Sequence, residues 1–114
     1  MTQPNPIATL NDQFRKSGPS PAVPGRMFTT RGIAALPPTL QLTAIARVHS
    51  FDAFTPDNDP YGEHDFGSIE VDGVGKIFWK IDYYADAKMH FGSDDPADPA
   101  HSFRVLTVML ASEY

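Results

Sequence analysis

Phe66-Gly67-Ser68-Ile69-Glu70-Val71 and Lys76-Ile77-Phe78-Trp79-Lys80-Ile81-Asp82-Tyr83-Tyr84 flank Asp72-Gly73-Val74-Gly75, a run rich in residues that accept positive φ. Alternation on both sides of that turn predicts an antiparallel hairpin. In its second strand Ile77, Trp79, Ile81 and Tyr83 fall on one face, and Phe78, Lys80, Asp82 and Tyr84 on the other. Aromatic rings on both faces place this strand at the centre of a sheet, with Lys80 and Asp82 close together.

Working outward, Ile7, Leu10 and Phe14 have the spacing of a helical stripe over Ile7 to Lys16, capped by Asn5-Pro6. Residues 17–25 hold three prolines and two glycines, which predicts a flexible loop. Arg26 to Ile33 is expected to be a strand ending near Gly32. Beyond Leu36-Pro37-Pro38, the positions Leu42, Ile45, Ala46, Val48 and Phe51 predict a helix from Pro38 to Phe51. Thr39, Thr43 and Val48 lower its propensity, so a strand over residues 40–48 is the alternative. Asp98-Pro99 reads as a cap and first-turn proline, and Phe103, Leu106, Met109 and Leu110 predict a terminal helix from Pro99 to Glu113. The β-branched run Val105 to Val108 leaves a strand over 103–111 open. The expected fold is one small α+β domain over residues 1–114, a central antiparallel hairpin or sheet packed by two or three helices.

A chain of 114 residues can bury a core without staples. It has no cysteine, which excludes disulfides, thiolate metal ligands and cysteine nucleophiles. Met1-Thr2-Gln3-Pro4 lacks a basic segment leading into an apolar run, and no apolar stretch approaches the ~20 residues that span a bilayer. A cytoplasmic protein with no membrane association is expected. Arg15, Lys16, Arg26, Arg31 and Arg47 oppose Asp12 alone in the first fifty residues, whereas Phe51 to Asp98 carries twelve Asp or Glu against three Lys. The net charge of −5 argues against direct binding of nucleic acid.

The acids are densest in Asp57-Asn58-Asp59-Pro60-Tyr61-Gly62-Glu63-His64-Asp65. Asp57, Asp59 and Gly62 have the spacing that opens a calcium loop, but Tyr61 and Ser68 stand where two further oxygen ligands belong. Asp-Asn-Asp-Pro is also ordinary turn chemistry. In an extended Glu63-His64-Asp65 the two carboxylates share a face and His64 projects opposite, so the spacing favours a carboxylate pair over a triad. Lys80 and Asp82 are placed to meet Glu63 or Asp65 across the hairpin, a grouping that a metal-dependent nuclease or a half-buried ion pair would both use. No serine-histidine-aspartate triad, phosphate loop or dinucleotide fingerprint is present.

Asp57 to Gly67, Phe78-Trp79-Lys80-Ile81-Asp82-Tyr83-Tyr84, Arg104 to Ala111 and the final Glu113-Tyr114, together with Leu10 to Arg15 and Thr30-Arg31-Gly32, resemble a small bacterial family catalogued as a domain of unknown function. The resemblance implies alphaproteobacterial genomes and their mobile elements, and it implies no catalytic residue. One departure is Ala85, where the family places an Asp after the tyrosine pair; here the acid is Asp86.

Acidity, small size and that resemblance together lead to the expectation of a protein-binding module, in its concrete version an anti-defence inhibitor of a basic restriction or CRISPR effector. Asp57, Asp59, Tyr61, Glu63, His64, Asp65, Asp94 and Asp95 are the expected contact residues, with no cofactor, metal or catalytic group. The alternative is a metal-dependent hydrolase or nuclease using the cluster at 57–65 with Lys80.

Overall fold

A computed structural model describes residues 5–114. Met1-Thr2-Gln3-Pro4, read above for a leader, lie outside the described residues. Helix α1 (Pro6–Ser17) leads to strand β1 (Gly25–Thr29), the short helix α2 (Arg31–Ala34) and helix α3 (Pro38–His49); strands β2 (Phe66–Val71), β3 (Gly75–Tyr84) and β4 (Phe103–Leu110) follow. The fold is α+β, with a four-stranded sheet in the order β1-β4-β3-β2. The β2–β3 hairpin and the β3–β4 pair are antiparallel, while β1 runs parallel to β4.

The hairpin has the expected form. Phe66 pairs with Lys80 and Val71 with Gly75, and β3 is a central strand whose Ile77, Trp79 and Ile81 are buried. Asn5 caps α1 by accepting from the Ile7 amide at 2.9 Å, as the Asn-Pro signal predicts. Helix α3 starts on Pro38 and has the helical rather than the extended conformation over 40–48.

Two elements differ from expectation. Phe103–Leu110 is a strand, not a helix, and Asp98-Pro99 caps only a single 3₁₀ turn, Pro99–His101. Strand β4 lies between β1 and β3 and is apolar on both faces: Leu106 and Val108 face the helices, and Val105 and Met109 the other side. A strand covered on two faces loses its alternation, so its apolar residues also fit a helical stripe. The strand expected over Arg26 to Ile33 stops at Thr29, because the helical turn of α2 starts at Arg31, with the Gly32 amide donating to the Glu113 carboxylate at 2.9 Å.

All three helices lie on the face of Trp79. Phe14, Ile33, Ala44 and Val48 from the helices meet Ile69, Ile77, Trp79, Ile81, Leu106 and Val108 from the sheet. Val23 joins them from the segment between α1 and β1, where Ser20 and Val23 exchange backbone hydrogen bonds. The opposite face carries Phe78, Lys80, Asp82 and Tyr84 of β3 beside Met109, Thr107, Val105 and Phe103 of β4. Tyr114 closes part of it, its ring edge-on to Phe66 and Phe78 at 5.7 and 5.5 Å.

Trp79 governs a close contact between β2 and β3. Its ring meets Phe51 and Phe54 edge-on, and the Arg15 guanidinium stands 5.0 Å from its centroid. The neighbouring strand must yield space, and it does so at Gly67, where a Cβ would fall 2.3 Å from Trp79 Nε1 and 2.5 Å from Cε2. Gly67→Ala is therefore expected to destabilise the fold by about 3 kcal/mol through overpacking, read as a lowered midpoint in urea.

Candidate functional site

The acidic loop between α3 and β2 is folded by its own short side chains. Asn58 Oδ1 accepts from the Thr55 amide at 2.8 Å, Asn58 Nδ2 donates to the Ala53 carbonyl, and the Asp59 amide donates to the Thr55 carbonyl. Asp59 then turns its carboxylate inward, accepting from the amides of Glu63 and His64 at 3.2 and 3.3 Å. These are the turn contacts that short polar residues before a proline provide. Gly62 and His64 both adopt positive φ, at 65° and 56°. For His64 that conformation is uncommon, and the loop contacts hold it there.

Helix α1 pins the loop from beneath. Asn5 Nδ2 donates to the Gly62 carbonyl at 3.1 Å, and Asn11 Nδ2 to the Glu63 carbonyl at 2.9 Å. From the sheet, the Ile81 amide donates to the Asp65 carbonyl. His64 stacks flat on Phe54 with centroids 3.9 Å apart. Its Nδ1 lies 2.9 Å from the Asp12 carboxylate and its Nε2 3.6 Å from that of Asp59. Asp12 also bridges to the buried Arg15 at 3.0 Å, and Arg15 donates to the Val48 and His49 carbonyls.

Asn11, wholly buried, accepts from Arg104 Nε at 2.6 Å while donating to the Tyr83 hydroxyl at 2.8 Å. Arg104 is equally buried and gives its other protons to Ser102 Oγ and the Pro96 carbonyl. Burial lowers the pKa of both Arg15 and Arg104 from the ordinary arginine value. The Tyr83 hydroxyl lies 3.4 Å from Glu63 Oε2, and burial raises its pKa well above the usual phenol value.

Glu63 and Asp65 lie close enough to act on one another, although His64 between them has a positive φ and not the extended backbone on which the spacing argument relied. Burial raises the pKa of Glu63, followed by the field of Asp65 and a hydrogen bond between the two carboxyl groups; burial likewise raises Asp65, with Asp59 and Asp82 adding to it. Lys80 does not join this pair. Its Nζ is 3.0 Å from Asp82, with which it forms an ion pair across from the helices. Asp57 is exposed on the loop, and Asp94 and Asp95 are exposed after β3. Both acidic segments lie at the same end of the sheet, because β2 begins opposite Lys80 and β3 ends at Tyr84. Tyr61 is 85% exposed, and an open depression of about 420 Å³ lies between it, Phe54, Asp59 and His64.

Among the described residues no group of three or more His, Asp or Glu side chains is arranged to hold a metal ion. Apart from the Glu63–Asp65 pair the acids have separate partners, Asp59 the backbone amides, Asp12 His64 and Arg15, and Asp82 Lys80. Asn11, Asp12, Arg15 and Arg104 are the members of the site that sequence reasoning did not propose. The partners of Asn11, and the His64 partner of Asp12, lie 52 to 93 residues away, beyond the reach of any spacing rule.

A family model described as a protein of unknown function (DUF3768) matches residues 29–113. The match begins after α1, so Asn11 and Asp12 lie outside it. No curated protein and no solved structure matches the chain.

Two outcomes follow from this geometry. Asn11→Ala leaves Arg104 Nε, the Tyr83 hydroxyl and the Glu63 carbonyl short of a partner, and should cost about 2–4 kcal/mol in chemical denaturation. Glu63 and Asp65 contribute stability that is present below the ordinary carboxylate range and is lost as pH rises through their raised values. Glu63→Gln, which has no proton to lose, should therefore melt above the wild type at neutral pH, with the difference vanishing below about pH 4.

Proposed function

The chain belongs to the DUF3768 family, and on that footing we propose that it is a protein-binding module whose acidic loop recognises a basic surface. The observation that carries this is Tyr61, 85% exposed at the crest of a loop whose backbone is already held by Asn5, Asn11 and Asp59. Association normally loses affinity to the ordering of loops, and here that cost is met within the fold. An exposed tyrosine on a rigid support is a favoured anchor of binding energy.

Charge supports the same assignment. Asp65 and Asp59 act unfavourably on the charged form of Glu63, and Asp59 and Asp82 on that of Asp65. A guanidinium or ammonium brought to this end of the sheet relieves that repulsion, and Asp57, Asp94 and Asp95 steer it there. The concrete partner is a basic nucleic-acid-handling protein, such as a restriction or CRISPR effector in the cytoplasm, whose groove the module would occupy as an inhibitor. The hydrolase alternative needs several donors converging on one point and has no such observation in its favour.

Titration against purified restriction and CRISPR effectors tests the proposal. Tyr61→Ala is expected to weaken binding by about 1–3 kcal/mol, and joint charge reversal at Asp57, Asp94 and Asp95 to slow association and flatten its salt dependence. Binding left unchanged by both variants would falsify it.

A further inference from the structure

Strand β1 ends the sheet, and among the described residues no strand pairs with its outer edge. Arg26, Met27, Phe28 and Thr29 are consecutive and all exposed, Met27 at 36% and Phe28 at 43%. A strand covered on its outer side would not expose every residue in turn. On the inner side the ladder to β4 is bounded by the Pro24 carbonyl, which accepts from the Arg104 amide, and the Thr30 amide, which donates to the Val108 carbonyl. In a parallel ladder the two backbone groups of one residue point the same way and alternate along the strand. Residues 24, 26, 28 and 30 therefore face β4, and the N–H and C=O groups of Gly25, Met27 and Thr29 face outward. None of those groups has a hydrogen-bond partner among the described residues.

We propose that β1 pairs antiparallel with β1 of a second copy of this chain, about a twofold axis at Met27, joining two sheets into one. The strand is self-complementary in that register. Gly25 meets Thr29 of the second copy, and Met27 meets Met27, each pair exchanging both backbone hydrogen bonds across outward-facing groups. On the face away from the helices Arg26 stands opposite Phe28 of the second copy, and the twofold repeats the pair. Arg26 already places its guanidinium 5.8 Å from the Phe103 ring, so a second aromatic ring meets a cation held for it. A foreign strand would satisfy the same backbone groups but would not meet this symmetric pairing of side chains. The edge's own defences are its length and Arg26, and the twofold turns the arginine into a contact.

The experiment is sedimentation equilibrium of the full chain. Met27→Pro removes an outward N–H that the β4 ladder does not use, so it is expected to give a monomer with an unchanged circular dichroism spectrum and melt. Phe28→Lys, at an exposed position, sets like charges opposite Arg26 twice and should weaken the dimer by about tenfold or more. Adding Arg26→Glu to Phe28→Lys converts both contacts to ion pairs and should restore it. A wild-type chain that stays monomeric at its highest soluble concentration leaves the edge to a foreign strand and overturns the proposal. So does a dimer that survives Met27→Pro, or one that the double variant fails to restore.

Discussion

Asn11 is the side chain on which the arrangement of the molecule depends. Its carbonyl accepts a hydrogen bond from Arg104 on β4, and its amide donates to the Tyr83 hydroxyl on β3 and to the Glu63 carbonyl in the acidic loop. One residue of α1 thus joins both central strands and the loop. The position requires a donor and an acceptor on one short, neutral group: an aspartate offers no proton to Tyr83 or Glu63, and a leucine deprives Arg104 Nε, the Tyr83 hydroxyl and the Glu63 carbonyl of a hydrogen bond each. Arg104 is the complementary half. It is buried with no carboxylate in contact, its charge spread instead over Asn11, Ser102, the Pro96 carbonyl and the Tyr83 ring at 5.1 Å.

Arg15, one turn along α1 from Asn11, is a second buried arginine, this one with a carboxylate partner. It is also wholly buried, touches Trp79 and Phe54 with its planar face, and is tied to Asp12 and to the end of α3 through the Val48 and His49 carbonyls. The two arginines divide the labour of seating α1, Arg15 against α3 and the tryptophan, Arg104 against the polar end. Because each is satisfied mainly by fixed backbone or amide oxygens, the helix has one rotational setting over the sheet.

Local patterns made part of this fold legible. Alternation about Asp72-Gly73 located the hairpin and showed that β3 is covered on two faces, since Phe78 and Trp79 fall on opposite sides. The same two-sidedness concealed β4, where Val105 and Met109 are buried on the face opposite Leu106 and Val108 and an apolar run imitates a helix. At the site, Glu63 and Asp65 come close by another route than their spacing implied, because His64 turns the backbone through a positive φ between them. The partners of His64 were not legible. Asp12 lies far away in sequence, and its approach is decided by the docking of α1, which no pattern within the loop records.

Those long separations also bear on the order of assembly. The loop's anchors join it to residues 52 and 57 positions away on α1 and to β3 through Ile81 and Tyr83. Loop-closure entropy must be met before such contacts yield any return, so they form after the hairpin and the helix have docked. The turn around Asn58 and Asp59 closes on local contacts, whereas its seating against α1 and β3 waits on that docking. A chain emerging from the ribosome, or one opened by partial unfolding of α1, presents the same charges without the shape that aims them.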